Sequence, residues 1–271
     1  MPELPEVETI RRQLTPAVTG RDIVDSGSHW STKFTPAIEA VAHEIVGTRR
    51  RGKYLIVDLR DSDDIARELI IHLGMTGRLA IEQAPDLNNS HLRAWWRFDD
   101  ERTLTFHDAR RFGRIHVVDQ GDHAAIPTLA ALGPEPWDDA FNGEHLAAFV
   151  KKSNRHLKTI LLAQRAVAGV GNIYADEALW MAQINPATRR LSRERADQLV
   201  ETVRAALQSG LDHGGTTLRD YVDSEGAVGA NQYELFCYGR SGEPCVRCGE
   251  LLRRRELDAR TTTWCPDCQS H

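Results

Sequence analysis

Two cysteine pairs near the end of the chain, Cys245-x2-Cys248 and Cys265-x2-Cys268 with sixteen residues between them, constrain the fold more than any other feature of the 271-residue sequence. So short a stretch cannot bury a core of its own. Two thiolate pairs at this separation form the ligand set of a tetrahedral zinc site that staples a β-hairpin. Four thiolates leave no open coordination position, so one structural Zn2+ is expected on Cys245, Cys248, Cys265 and Cys268. Cys237 lies outside the array and is expected to be a small apolar core residue. Arg253, Arg254, Arg255 and Arg260 fall on the hairpin, where they would form a cationic surface suited to phosphate.

All five cysteines follow position 236. A disulfide framework is not expected in a chain without a charged-then-apolar leader, and a cytoplasmic location is expected instead. No apolar run approaches the roughly 20 residues that cross a bilayer. The net charge of −5 argues against a uniformly basic nucleic-acid binder. Local clusters are cationic nevertheless, at Arg49-Arg50-Arg51 with Lys53 and at Arg110-Arg111 with Arg114.

Residues 20–119 read mainly as strands: Lys53 to Leu59, Glu68 to Leu73, Arg93 to Phe98, Thr103 to Phe106 and Ile115 to Val118 are short and β-branched or aromatic. Such spacing predicts a β-sandwich or a barrel. A proline-rich break at Gly133 to Asp139 reads as a linker, and residues 141–222 carry two apolar stripes at helical spacing. Residues 223–236 read as an irregular, mobile loop.

The chemistry is expected at Met1-Pro2-Glu3-Leu4-Pro5-Glu6. A small second residue favours removal of the initiator methionine, which leaves Pro2 as a secondary-amine terminus. Its α-amino pKa of about 7.7–8.0 keeps a nucleophilic fraction at neutral pH. Attack on an aldehyde-like carbon then gives an iminium, a built-in electron sink, with Glu3 and Glu6 at hand to move or orient protons. The same residues also open an amphipathic helix, with Pro5 in its first turn and Val7, Ile10 and Leu14 on one face. Gly169-Val170-Gly171-Asn172 before a helix suits a phosphate through free amides but lacks the dinucleotide glycine pattern, so no nucleotide or redox cofactor is expected. His72-Leu73-Gly74-Met75 and Asp108 to Phe112 are loops whose apolar and arginine side chains suit insertion into a base stack.

MPELPEVETIRR, HLGMTG, DARRFG, LGPEP, GVGNIYADE, GGTTLRDY and the four-cysteine finger occur in that order along the whole chain. Together they resemble the formamidopyrimidine-DNA glycosylase family, the Fpg/Nei or helix–two-turn–helix glycosylases, and the start resembles the Fpg branch. The resemblance implies an α+β fold in two domains. An N-terminal β-sandwich with flanking helices would span 1–132 and a linker 133–140. A helical helix–two-turn–helix domain would span 141–233, and the zinc-finger β-hairpin 234–271.

The implied activity is bifunctional: excision of oxidised purines (8-oxoguanine, formamidopyrimidines) from damaged double-stranded DNA, then cleavage of the abasic strand by β,δ-elimination. The protein would act as a monomer in base excision repair, in the bacterial cytoplasm at the nucleoid. By motif, Pro2 would attack C1′, Glu3 would be the acid/base group and Glu6 would support the amine. Lys53 would contact the backbone beside the lesion. His72, Asn172 and Arg260 would hold phosphates, while Met75, Arg110 and Phe112 would fill the gap left by the flipped nucleotide, with Arg110 facing the opposing cytosine.

Three positions depart from the family pattern. Ala259 stands where glycine usually precedes the finger arginine, Ala230 and Asn231 stand where the loop over the flipped base is commonly aromatic, and Ala163 stands where aspartate is frequent. The loop change keeps an endonuclease VIII-like preference for oxidised pyrimidines open as an alternative. A non-catalytic damage binder is the other.

Overall fold

Short β-branched and aromatic runs broken by turn residues fold into eight strands. They are β1 Asp22–Ser28, β2 His43–Arg51, β3 Tyr54–Arg60, β4 Ala66–His72, β5 Gly77–Glu82, β6 Leu92–Phe98, β7 Thr103–Asp108 and β8 Arg114–Asp119. All pair antiparallel in the order β5-β7-β6-β1-β2-β3-β4-β8. A computed structural model describes residues 1–270 and groups them into two units. One is Met1–Ala130 with His213–Ala230; the other is Ala131–Asp212 with the chain from Asn231 onward.

In the first unit β1 meets β2 at only two paired positions, Asp22↔Glu44 and Ile23↔His43, and bulges interrupt β1, β2 and β6. Bulges bend and twist a ladder. The two halves therefore face one another, and Ile23, Trp96, Phe98 and Leu104 share a core with Ile45, Leu55, Val57 and Leu69. Among the described residues β5 and β8 end the ladder, so the arrangement is a sandwich and not a closed barrel. Helix α1 (Leu4–Val18) lays Val7, Ile10, Leu14 and Val18 into the same core. Its outer face is tied by Glu8 to Arg11 and Arg12, one turn on. A short helix, α2 (Pro127–Ala130), carries Thr128, whose hydroxyl meets the Tyr54 hydroxyl at 2.7 Å.

Residues 213–230, placed in the helical domain on sequence, group instead with the sandwich. Side chains far away in sequence hold them there. The Gln13 amide donates to Asp223 Oδ2 at 2.7 Å, and Gln13 Oε1 accepts from the Ser224 N–H and hydroxyl. Asp223 Oδ1 in turn accepts the Glu225 and Ala227 N–H groups. The segment is irregular, including residues 213–222, for which the sequence predicts helix; its base is pinned, and both Leu218 to Asp220 and the tip from Glu225 to Val228 are exposed.

The second unit is helical, with α3 Gly143–Lys151, α4 Leu157–Leu162, α5 Asn172–Met181 and α6 Arg193–Asp212. The α6 stripe Ala196, Leu199, Val200, Val203 and Leu207 is buried, as its spacing predicts. At Gly210 an added Cβ would lie 2.3 Å from the Tyr174 hydroxyl, so glycine admits that buried ring. The unit ends in a hairpin of β9 Arg253–Leu257 and β10 Arg260–Trp264.

Leu257 pairs with Arg260, leaving Asp258 (φ 47°) and Ala259 (φ 60°) as a two-residue turn. Two left-handed central residues make a type I′ geometry, in which the second position favours glycine. Ala259→Gly is expected to stabilise the finger by about 1 kcal/mol, read as higher resistance to thermal unfolding. An unchanged or lower melting temperature would contradict the strain.

Candidate active site

Glu3 and Glu6 are both buried, at 2% and 1% exposure, on either side of the first turn of α1. The positive end of a helix favours such carboxylates. Glu6 is fully engaged as a scaffold: Oε2 accepts the Glu3 N–H at 2.7 Å, and Oε1 accepts the Thr216 N–H at 2.7 Å. The amino-terminal turn and the 213–230 segment thus share one anchor. Gly215 makes this approach possible, since its φ is +90° and an added Cβ would lie 3.0 Å from Glu6 Cγ. Tyr221 donates to the Gly214 carbonyl at 3.2 Å, and burial, reinforced by Glu6 and Asp223, pushes its phenol pKa up and keeps that donor protonated. Pro2 is buried beside Glu3.

Lys53 follows Gly52 (φ +56°) in the two-residue turn between β2 and β3 and is 7% exposed. His72, at the end of β4, packs its ring 4.8 Å from that of Tyr54. Burial, with the Lys53 and Arg114 charges beside it, pushes the His72 pKa down to about 4. Its Nδ1 accepts the Gly74 N–H at 3.2 Å, so the neutral ring carries its proton on Nε2 and offers an uncharged donor.

The same shift sets a stability profile. Unfolded His72 takes up a proton near 6.5, whereas the folded residue resists it down to about 4. Stability contributed at this position is therefore lost as pH falls through that window. Denaturant unfolding from pH 7 to 4 should show a flatter decline for His72→Gln than for the unaltered chain; equal slopes would contradict the assignment.

Met75, Arg110 and Phe112 come together on two loops of the first unit. Gly74 (φ +67°) lets the loops touch, since an added Cβ would lie 2.5 Å from both Gly113 N and Phe112 C. The buried Asp108 carboxylate, overlooked in the sequence reading, organises both loops. Its Oδ1 accepts from the Thr76 hydroxyl at 2.6 Å and its Oδ2 from the Gly113 N–H at 2.7 Å. Thr76 Oγ1 also accepts the Arg110 N–H at 3.2 Å. Met75 is left 38% and Phe112 48% exposed, and the Arg110 guanidinium lies 4.9 Å from the Phe112 ring centre.

In the second unit Asn172 opens α5, and its Nδ2 donates to the Thr261 carbonyl at 3.1 Å, which places it beside the residue that follows Arg260. Lys158 and Asp176, each 1% exposed, pair at 2.7 Å. Burial pushes the Asp176 pKa up to about 7 against the pull of Lys158. Lys158 Nζ also donates to the Thr261 carbonyl and Thr262 hydroxyl, while Asp176 Oδ2 accepts the Thr263 N–H. Glu177 accepts the N–H groups of Phe236, Cys237 and Tyr238. GVGNIYADE is thus the seat on which the hairpin rests.

The four array cysteines place their sulfur atoms within 4.8 Å of one another, and Cys248 and Cys265 lie 3.5 Å apart. A tetrahedron with Zn–S bonds of about 2.3 Å needs sulfurs about 3.8 Å apart, so the donor set fits one Zn2+. Cys237 is buried, and its thiol donates to the Thr263 carbonyl at 3.1 Å. Of the finger arginines, Arg253, Arg254 and Arg260 are exposed. Arg255 instead lies 4.5 Å from the Trp264 ring centre and donates to Asn185 Oδ1, a packing role. At two of the departures the local packing is plain. Asn231 is buried, with Oδ1 2.8 Å from the Ser209 hydroxyl, and Ala163 caps α4.

Residues 1–115 match the formamidopyrimidine-DNA glycosylase N-terminal domain and residues 132–222 the formamidopyrimidine-DNA glycosylase H2TH domain. Residues 242–270 match a zinc finger found in FPG and IleRS. The formamidopyrimidine-DNA glycosylase of Deinococcus radiodurans is 39% identical over 99% of this chain and 97% of its own length. Among solved structures, the MutM (Fpg) protein of Thermus thermophilus superposes with a TM-score of 0.91 at 41% identity, covering 100% of this chain and 99% of that one. A MutM in complex with DNA containing carbocyclic 8-oxo-G superposes with a TM-score of 0.88 at 32% identity, covering both chains in full.

Proposed function

The chain belongs to the formamidopyrimidine-DNA glycosylase family, and from that premise we propose a division of labour among its residues in the excision of oxidised purines and cleavage of the abasic strand. The observation that carries it is the buried Glu3–Glu6 turn, locked to Thr216 beside Pro2. With Met1 removed, the Pro2 amine attacks C1′ of the damaged nucleotide. The N–C1′ bond forms, the glycosidic bond breaks, and the base leaves with a proton. Glu3 protonates O4′ as the sugar opens, giving the iminium. Loss of a C2′ proton then expels the 3′-phosphate by β-elimination, and a second elimination expels the 5′-phosphate. Glu6, its oxygens committed to two backbone N–H groups, positions this turn.

A base stacked in a duplex is out of reach, so the nucleotide must leave the helix at a cost of a few kcal/mol. Met75 and Phe112 would wedge the gap, with Arg110 offering its fork to the orphaned cytosine. Lys53, neutral His72, Asn172 and Arg260 would grip phosphates. Zn2+ on the four thiolates holds the hairpin that presents Arg260. No described helix is long and apolar enough to cross a membrane. We place the protein at the chromosome, in the cytoplasm of a bacterial cell.

Excision from duplexes carrying 8-oxoguanine or dihydrouracil, run side by side, tests the substrate class. Faster release of 8-oxoguanine is expected; faster release of dihydrouracil would overturn the purine assignment.

A further inference from the structure

We propose that Asp258 is a positioning residue for Arg260: a polar latch from α4 to the finger turn holds that turn in the shape from which Arg260 reaches a phosphate. The inference rests on the reading of Arg260 as a phosphate ligand. Asp258 and Ala259 carry the left-handed φ values of the turn, and Ala259 has no glycine freedom with which to keep them. The Asp258 carboxylate accepts from the Thr159 hydroxyl at 2.5 Å and from His156 Nδ1 at 3.1 Å. His156 Nε2 faces Arg189 Nη2 at 3.1 Å, which fixes the ring with its proton on Nδ1, toward Asp258. Neighbouring residues of the same helix hold the other side of Arg260, where Lys158 Nζ donates to the Thr261 carbonyl at 2.7 Å. The exposed arginine is thus bracketed by two attachments to α4, and the one before it sits where the backbone is strained.

Simple charge reasoning gives the opposite expectation. Asp258 is half exposed, its side chain at 45%, and an anion next to a phosphate-gripping arginine should weaken DNA binding. Freed from its donors, that carboxylate repels the phosphate; latched, it is oriented and partly neutralised by them. The latch also explains how the chain tolerates alanine at the turn position that favours glycine.

The test breaks the latch without touching the turn. Thr159→Val with His156→Ala removes both donors, and His156 makes no side-chain cap on α4, so the helix start is kept. The zinc-loaded protein should show a several-fold higher KM on an abasic-site duplex, with kcat at saturation and zinc content unchanged. Adding Ala259→Gly, which creates the Asp-Gly pair that type I′ turns prefer, should restore the KM. An unaltered KM after unlatching, or a loss that glycine does not relieve, would overturn the proposal. Arg260→Ala, measured in parallel, separates the two readings: unchanged duplex affinity there defeats the phosphate role itself. A weakened Arg260→Ala protein beside an unaffected unlatched one defeats only the latch.

Discussion

Glu3→Gln is expected to lower base excision by about 10²–10⁴-fold, the usual worth of a positioned proton donor, and Pro2→Gly by at least as much. Both variants should bind a lesion duplex nearly as the unaltered chain does. Glu3 sits at 2% exposure on a turn whose backbone is fixed through Glu6, so glutamine keeps the shape and removes the proton. Glycine at position 2 replaces a secondary amine with a primary one. Its imine is neutral until protonated, so the electron sink is no longer built in. Single-turnover excision on an 8-oxoguanine duplex, with affinity measured on the same oligonucleotide, separates chemistry from binding. Rates within a few-fold of the unaltered chain in both variants would remove the amino terminus from the mechanism.

Loss of zinc is expected to abolish tight DNA binding. Around the array the apolar core consists of Trp180, Cys237, Cys245, Leu252 and Cys265, two of them ligands themselves. So small a cluster cannot offset the ordering of a hairpin, whereas a structural zinc site supplies about 10–16 kcal/mol in finger peptides. Cys248 is exposed and Cys268 half-buried, so a chelator can reach the site. Chelation, or Cys265→Ser, should release one zinc per chain and cost more duplex affinity than Arg260→Ala, because every finger contact goes together. The sandwich of the first unit should stay folded. A metal-free protein that binds duplex unchanged would contradict the role assigned to the finger.

How much of this was legible in the sequence depends on the range of the forces involved. The zinc array could be read because ligand spacing is a local code, and helix α1 because its stripe and its Glu8–Arg12 pair are local too. Strands β3, β4 and β6 to β8 stood out through β-branched and aromatic runs. In contrast, β1 (DIVDSGS) and β5 (GRLAIE) carry weak patterns and take their strand form from their neighbours in the ladder. The grouping of residues 213–230 with the sandwich was not legible because the bonds that tie them there span 210 positions, as in Gln13 to Asp223 and Glu6 to Thr216. Asp108 lay inside a quoted motif, yet its work is done on Thr76, another loop. The low pKa of His72 follows from burial beside Lys53 and Arg114, charges on the β2–β3 turn and at the start of β8. For Ala259 the family pattern foresaw a left-handed position, and the latch on Asp258 became visible only in three dimensions.

The central claim is that Pro2 forms the covalent link to DNA, and borohydride trapping on a duplex with 8-oxoguanine opposite cytosine tests it most directly. Borohydride reduces the iminium to a stable amine, so protein and DNA stay joined, and peptide mass then locates the bond. The account predicts a trapped complex whose adduct lies on an amino-terminal peptide that begins at Pro2, with Met1 gone. An adduct on a lysine such as Lys53, or no trapped complex on either 8-oxoguanine or a preformed abasic site, would contradict it.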